Sequence, residues 1–254
     1  MRFPLRLSAA LFNAKFSRRT TNPIFRLSPL IAGAVHASAV EPLTPETAWH
    51  SGEECVRLAQ SQGSPIVWLG ACEPMLHPAI GEVASLLLSA GHHVFVHTCG
   101  QGLRKRIHEF MPDSRLFLTF EFASGEIEHD CAKARSGPFR QIMEAIRAAK
   151  LSGFLVCAHV TVGTEANACE IGELFEYLDG NDIDGFIVSS GGAMVNASET
   201  KPLRDKLEDV LCLLRDPRWE KFSRFLEASY ATRPAVSIPA KIRSSEANAC
   251  QEGV

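Results

Sequence analysis

The sequence has no cysteine before Cys55 and no C-x-x-C pair anywhere. Its eight cysteines (Cys55, Cys72, Cys99, Cys131, Cys157, Cys169, Cys212 and Cys250) are too scattered for a secreted disulfide framework. The lack of close pairs argues equally against a zinc knuckle or ribbon. Reduced thiols in a cytosolic setting are the reading that remains. No run approaches the roughly 20 apolar residues that cross a bilayer. Charge of one sign is also missing: a net −3 and a pI near 6.3 give no footing for a nucleic-acid partner. Internal repeats and low-complexity blocks are absent. What is present, 254 residues of which 46% are hydrophobic and 22% charged, suits one globular domain with a sizeable core.

Acidic residues are missing from the N-terminus, where Arg2, Arg6, Lys15, Arg18, Arg19 and Arg26 all precede the first acid, Glu41. A basic amphipathic helix around Leu5–Phe16 is expected, packed on the domain or resting on an anionic membrane surface. The competing reading is a targeting peptide. Arg18-Arg19, the apolar stretch Leu27–Val35 and Ala37-Ser38-Ala39 imitate a twin-arginine or secretory signal, although the stretch is short and holds Pro29. The expectation is a cytoplasmic protein with peripheral membrane contact, and export is the alternative.

From residue 50 onward β-rich runs and helical stretches alternate. Ser51 and Glu54 form a capping-box pattern opening a helix through Gln60. Strands are expected at Ile24–Leu27, Ile66–Leu69, Val94–Thr98, Leu116–Phe122, Phe154–Val162 and Phe186–Ser190. Helices are expected at Pro78–Ala90, Leu103–Phe110, Phe139–Leu151, Glu165–Leu178, Leu203–Leu214 and Trp219–Tyr230. Strict alternation implies a parallel sheet covered by helices. Six βα units build either a doubly wound sheet or an open partial barrel, and both bind ligands at the C-terminal strand ends. The polar tail after Arg233 lacks a period and is expected to be poorly ordered.

At the end of the second strand stands Gly70-Ala71-Cys72-Glu73-Pro74-Met75-Leu76-His77-Pro78, and the third ends His97-Thr98-Cys99-Gly100. The first run resembles the G-G-E-P-L-x-H-P signature of radical S-adenosylmethionine (SAM) enzymes, and the second stands where that family commonly has Thr-Asn-Gly. The remaining strands and the Gly137-Pro138-Phe139 helix start are similar in spacing to that family, and the Met1–Leu5 opening resembles its adenosyl-hopene transferase subgroup of hopanoid biosynthesis. The resemblance implies an α/β fold: a partial (β/α)6 TIM-like barrel of radical SAM type with C-terminal helices. Together with composition, this divides the chain into a basic amphipathic segment at 1–22, a radical SAM-like partial barrel at 23–195, C-terminal helices at 196–232 and a tail expected to be disordered at 233–254. The resemblance also implies SAM-site positions at Gly70, Ala71, Cys72, Glu73, Thr98, Cys99 and Ser189.

The resemblance further implies a [4Fe–4S] cluster held by C-x3-C-x2-C just after the first strand. There this chain reads Pro29–Val40, with Gly33, Ala37 and Val40 at the cysteine positions. None of these can ligate iron. The SAM turn has drifted as well, with Ala71-Cys72 in place of Gly-Gly, where added β-carbons crowd a close approach.

Other residues near strand ends carry two readings each. Cys72 and Cys99 with a neighbouring histidine (His77, His97 or His159) would make a relocated metal site; as small apolar core residues they need no ligand. Glu73 either accepts from a ligand amine or caps the next turn. Cys157 and His159 share a face of the fifth strand, with His159 read as a hydrogen-bonded core residue. Ser189-Ser190-Gly191-Gly192 is an anion-friendly turn or a plain exit loop. Asp182–Gly185 reads as the loop before the sixth strand rather than a calcium site. Arg104, Lys105 and Lys150 read as solvated helix charges.

The favoured functional expectation is a degenerate radical SAM-like protein without radical chemistry, serving as a partner, regulatory or ligand-binding homologue linked to hopanoid or lipid metabolism. Its partner would be a full-length paralogue or a lipid-like ligand. No catalytic or metal residue is assigned on this reading, and SAM is the only cofactor kept in view. One alternative is an active SAM-binding enzyme with a relocated cluster or other chemistry. Another is an unrelated α/β barrel in which Glu-Pro-Met-Leu-His-Pro is coincidental.

Overall fold

A computed structural model describes residues 3–16, 22–30, 49–123, 137–190 and 197–232. Gly33, Ala37, Val40, Gly191, Gly192 and the tail lie outside the described residues. The elements run α1 (Leu5–Phe16), β1 (Ile24–Leu27), α2 (Gly52–Gln62), β2 (Ile66–Leu69), α3 (Ile80–Ser89), β3 (His93–Thr98) and α4 (Leu103–Arg106). They continue with β4 (Leu116–Ala123), α5 (Pro138–Leu151), β5 (Leu155–Thr161), α6 (Ala168–Asp179), β6 (Gly185–Ser189), α7 (Ala197–Leu211) and α8 (Pro217–Thr232).

All neighbouring strands pair in parallel, in the order β1-β2-β3-β4-β5-β6. Chain order and sheet order coincide, so the sheet never reverses. It is the curled half-barrel of the two architectures the alternation allowed, and the doubly wound sheet is excluded. Helix boundaries shift where side chains intervene. The Ser51–Glu54 capping box is complete in both directions, and α2 runs to a left-handed Gly63 cap. The helix expected from Pro78 begins only at Ile80, because His77 Nδ1 takes the Ala79 amide and Pro74–Leu76 forms a separate 3-10 turn. The expected Leu103–Phe110 helix becomes 3-10 after Arg106, where Gly81 of α3 packs so closely on the Glu109 carbonyl that a β-carbon would lie 2.2 Å from it. Asn167 caps α6 by accepting the Cys169 amide, which starts that helix three residues later than Glu165.

Two edges of a parallel sheet need covering, and α8 covers both. Ser223 of α8 accepts the Val188 amide of β6, and Asn22 before β1 donates to the Phe225 carbonyl. Deeper in the barrel, Trp219 lies on Gly185, where a β-carbon would come within 2.1 Å of the indole. Above it Phe95 stacks on Phe117 at 4.3 Å and meets Phe222 at 4.8 Å. From the N-terminal side α1 buries Leu7, Leu11 and Ala14, Phe3 meets Trp219 edge-on at 4.6 Å, and Arg6 bonds Ser114. The basic helix therefore packs on the domain, leaving Leu5 and Phe12 exposed. No helix among the described residues is long and apolar enough to cross a membrane.

Candidate functional site in the barrel mouth

The turn after β2 sets the rim of the mouth. Ala71 sits at φ 67°, a left-handed conformation that favours glycine, so the glycine-type turn persists with an alanine in it. Two residues on, Glu73 Oε1 accepts from the Met75 amide at 3.0 Å and the Thr98 hydroxyl at 2.7 Å, while Oε2 accepts from the Cys99 amide at 2.8 Å. The Cys99 thiol also bonds this carboxylate. Of the two roles open to Glu73, the structure assigns the cap: it ties the end of β2 to the end of β3. Arg106, which sequence reasoning passed over, holds the same turn from outside. Its guanidinium donates to the carbonyls of Met75, His77 and Pro78 while paired with Glu109 at 2.6 Å.

The thiols on this rim are protonated at neutral pH. Burial pushes Cys72 up to about 11, against a partial offset from Ser28, whose hydroxyl lies 3.9 Å from its sulfur. Burial, with Glu73 next to it, pushes Cys99 up to about 12. Cys157 is fully buried, and burial likewise raises its thiol well above the ordinary value.

Inside the mouth, alternation along β3 to β6 aims polar side chains inward, among them His97, Glu121, His159, Thr161 and Ser189. His159 Nδ1 lies 2.9 Å from His97 Nε2, and His159 Nε2 lies 2.8 Å from Ser189 Oγ. Glu121 Oε2 is 3.8 Å from His97 Nε2, with its other oxygen bonded by Thr161. Trp68 forms the wall, its ring 5.1 Å from His97 and 5.3 Å from His159. Tyr230 reaches Ser189 from α8 and carries Arg26 on its ring face at 3.7 Å. Burial holds both histidines below the ordinary imidazole pKa, so both rings are neutral at pH 7; Glu121 opposes the shift at His97.

The radical SAM superfamily profile matches residues 39–178. The chain belongs to the radical SAM superfamily. The matched span opens at Ala39, so it includes Val40 but neither Gly33 nor Ala37. Among solved structures, the chain is similar to Streptococcus suis SuiB bound to its precursor peptide SuiA, with a TM-score of 0.53, 12% identity, and coverage of 82% of this chain and 50% of that one. SuiB bound to S-adenosylmethionine gives 0.51 at 12% identity, covering 82% and 49%. SuiB alone gives 0.52 at 13%, covering 82% and 51%. At that identity the likeness is one of fold, and the chain spans about half the length of these structures. No curated protein matches it.

Within this radical SAM fold, Gly70, Ala71, Cys72, Glu73, Thr98, Cys99 and Ser189 all stand at C-terminal strand ends or in the turns directly after them. Thr98 faces the Glu73 turn, whereas Ser189 faces His159 and Tyr230. The Ser189-Ser190 turn does receive an anion, but an internal one: Glu227 of α8 takes both the Ser190 amide and its hydroxyl. His77 is occupied by the His50 carbonyl and the Ala79 amide. The Cys72–Cys99–histidine site does not form among the described residues. The three-residue set whose donor atoms converge there is His97, Glu121 and His159. Its signal in the sequence was faint, because Glu121 sits in an ordinary apolar strand run. Lys150 is also corrected: it pairs with Asp184 at 2.8 Å and Asp182 at 3.4 Å, bracing the loop before β6.

Proposed function

We propose that this radical SAM homologue does not run the cluster-dependent radical reaction and acts instead as a ligand-binding or partner subunit in hopanoid-type lipid metabolism. The observation that carries the reading is the donor set. A [4Fe–4S] cluster needs convergent thiolates, and the stretch Pro29–Val40 has none. The rim cysteines do not make up the loss, since Cys72 and Cys99 are protonated and committed to Ser28 and Glu73. The cluster therefore does not fit these residues, and no radical step is assigned. Glu73 supports the same reading, because four internal donors already occupy its carboxylate.

One feature favours a second reading, in which SAM is still bound and used by other chemistry: Ala71 preserves the left-handed turn at φ 67°. Two measurements on the full chain separate the readings. After anaerobic reconstitution with iron and sulfide, incubation with SAM and a strong reductant is expected to yield no 5′-deoxyadenosine, and its appearance would refute the first reading. Calorimetry with SAM alone decides the second, which fails if no heat of binding is found.

A further inference from the structure

We propose that His97, Glu121 and His159 form a binding site for a divalent transition-metal ion, of the zinc type, inside the barrel mouth. Such a site requires neither SAM nor a cluster. Two imidazoles and one carboxylate are a donor set that holds zinc or ferrous iron while leaving coordination positions open. The three donor atoms lie within 4.8 Å of one another. Two ligand atoms each about 2.1 Å from a tetrahedral zinc ion stand roughly 3.4 Å apart. The His97–His159 separation of 2.9 Å and the His97–Glu121 separation of 3.8 Å bracket that value, so small side-chain adjustments admit the ion.

The outer partners suit the role. Ser189 bonds Nε2 of His159 and directs Nδ1 toward His97 and Glu121. Such outer hydrogen bonds fix the tautomer and orientation of metal-ligating histidines. Thr161 holds the distal Glu121 oxygen, leaving Oε2 to face the ring. Both imidazoles are already neutral, the form that ligates. In the metal-free state one ring donates to the other. With His97 as that donor, its single proton moves from Nε2 to Nδ1 when the ion arrives, and the rings stay neutral. His159 is 1% exposed and packed against Trp68, whereas the Glu121 side chain is 42% exposed, which gives the ion a route in from the mouth.

The test uses the 254-residue chain stripped with a chelator and titrated with zinc chloride alone, read by calorimetry and by metal content after desalting. One zinc per chain is expected. Glu121→Gln, which keeps the Thr161 contact, should weaken binding at least tenfold, and His97→Gln should abolish it. Cys72→Ser and Cys99→Ser should leave it unchanged. Zinc should raise the melting temperature of the wild type and not that of His97→Gln. Circular dichroism of the variants separates a lost site from a lost fold, and half-exposed Glu121 is the position least exposed to that ambiguity. Folded wild-type protein that takes up no zinc would overturn the proposal. So would zinc affinity that survives both Glu121→Gln and His97→Gln, or that is lost in the cysteine variants.

Discussion

At Ala71 the backbone adopts φ 67°, where an L side chain meets the following carbonyl at a cost of about 1–2 kcal/mol. The turn is nevertheless held, because Glu73 bonds across to Thr98 and Cys99 and Arg106 clamps three carbonyls behind it. Relieving the strain with Ala71→Gly should raise stability by about 1 kcal/mol in chemical denaturation, the flexibility of glycine offsetting part of the gain. Unchanged or lower stability would mean that the alanine methyl makes a compensating contact. Glu73 shows why a residue's role is hard to read from its letter. A carboxylate at a strand end attracts donors, and only the approach of β3 decided that those donors are its own chain's amides and hydroxyls.

Among the elements, α1 and α8 show how segments outside the six βα units complete the barrel. The α1 helix buries Leu7 completely while leaving Leu5 82% exposed. Leu7→Ala is therefore expected to cost roughly 2–5 kcal/mol, the range for emptying a packed leucine site. Leu5→Ala should change stability by less than about 0.5 kcal/mol. Equal, small effects in thermal or urea melts would show that the helix is not docked in solution. The α8 helix matters more for function. It lends Trp219 and Phe222 to the interior, Ser223 to the β6 edge, and Tyr230 and Glu227 to the mouth.

At the scale of the whole molecule, six histidines among the described residues contribute to the acid response. Burial lowers the pKa of His50, His77, His92, His97 and His159, and brings His93 to about 4. A lowered folded-state pKa means that the unfolded chain binds more protons below the ordinary imidazole value of 6.5. The stabilisation is complete above that pH and is lost as pH falls toward the folded values. Melting temperatures should therefore be level above pH 6.5 and decline steadily from there to about pH 4. A flat profile over that interval would show that these rings are hydrated in solution.

Much of the architecture was legible in the sequence. The strands Ile24–Leu27 and Ile66–Leu69 and the helix Leu5–Phe16 fall where hydrophobic period and turn residues put them, because those signals act over a few neighbouring residues. The Gly70–Pro78 run and the βα alternation were enough to point to the radical SAM superfamily. Period-two alternation could put Cys157 and His159 on one face, but not say what that face meets. That depends on register: β4 pairs Glu121 with His159, and β3 pairs His97 with Thr119, the inward position next to Glu121 on the same face. Long-range pairing and the curl of the sheet set that register, and neither is encoded in a local stretch. For this reason the thiols that looked like ligands became rim packing, while a glutamate and two histidines from three separate strands converged in the mouth.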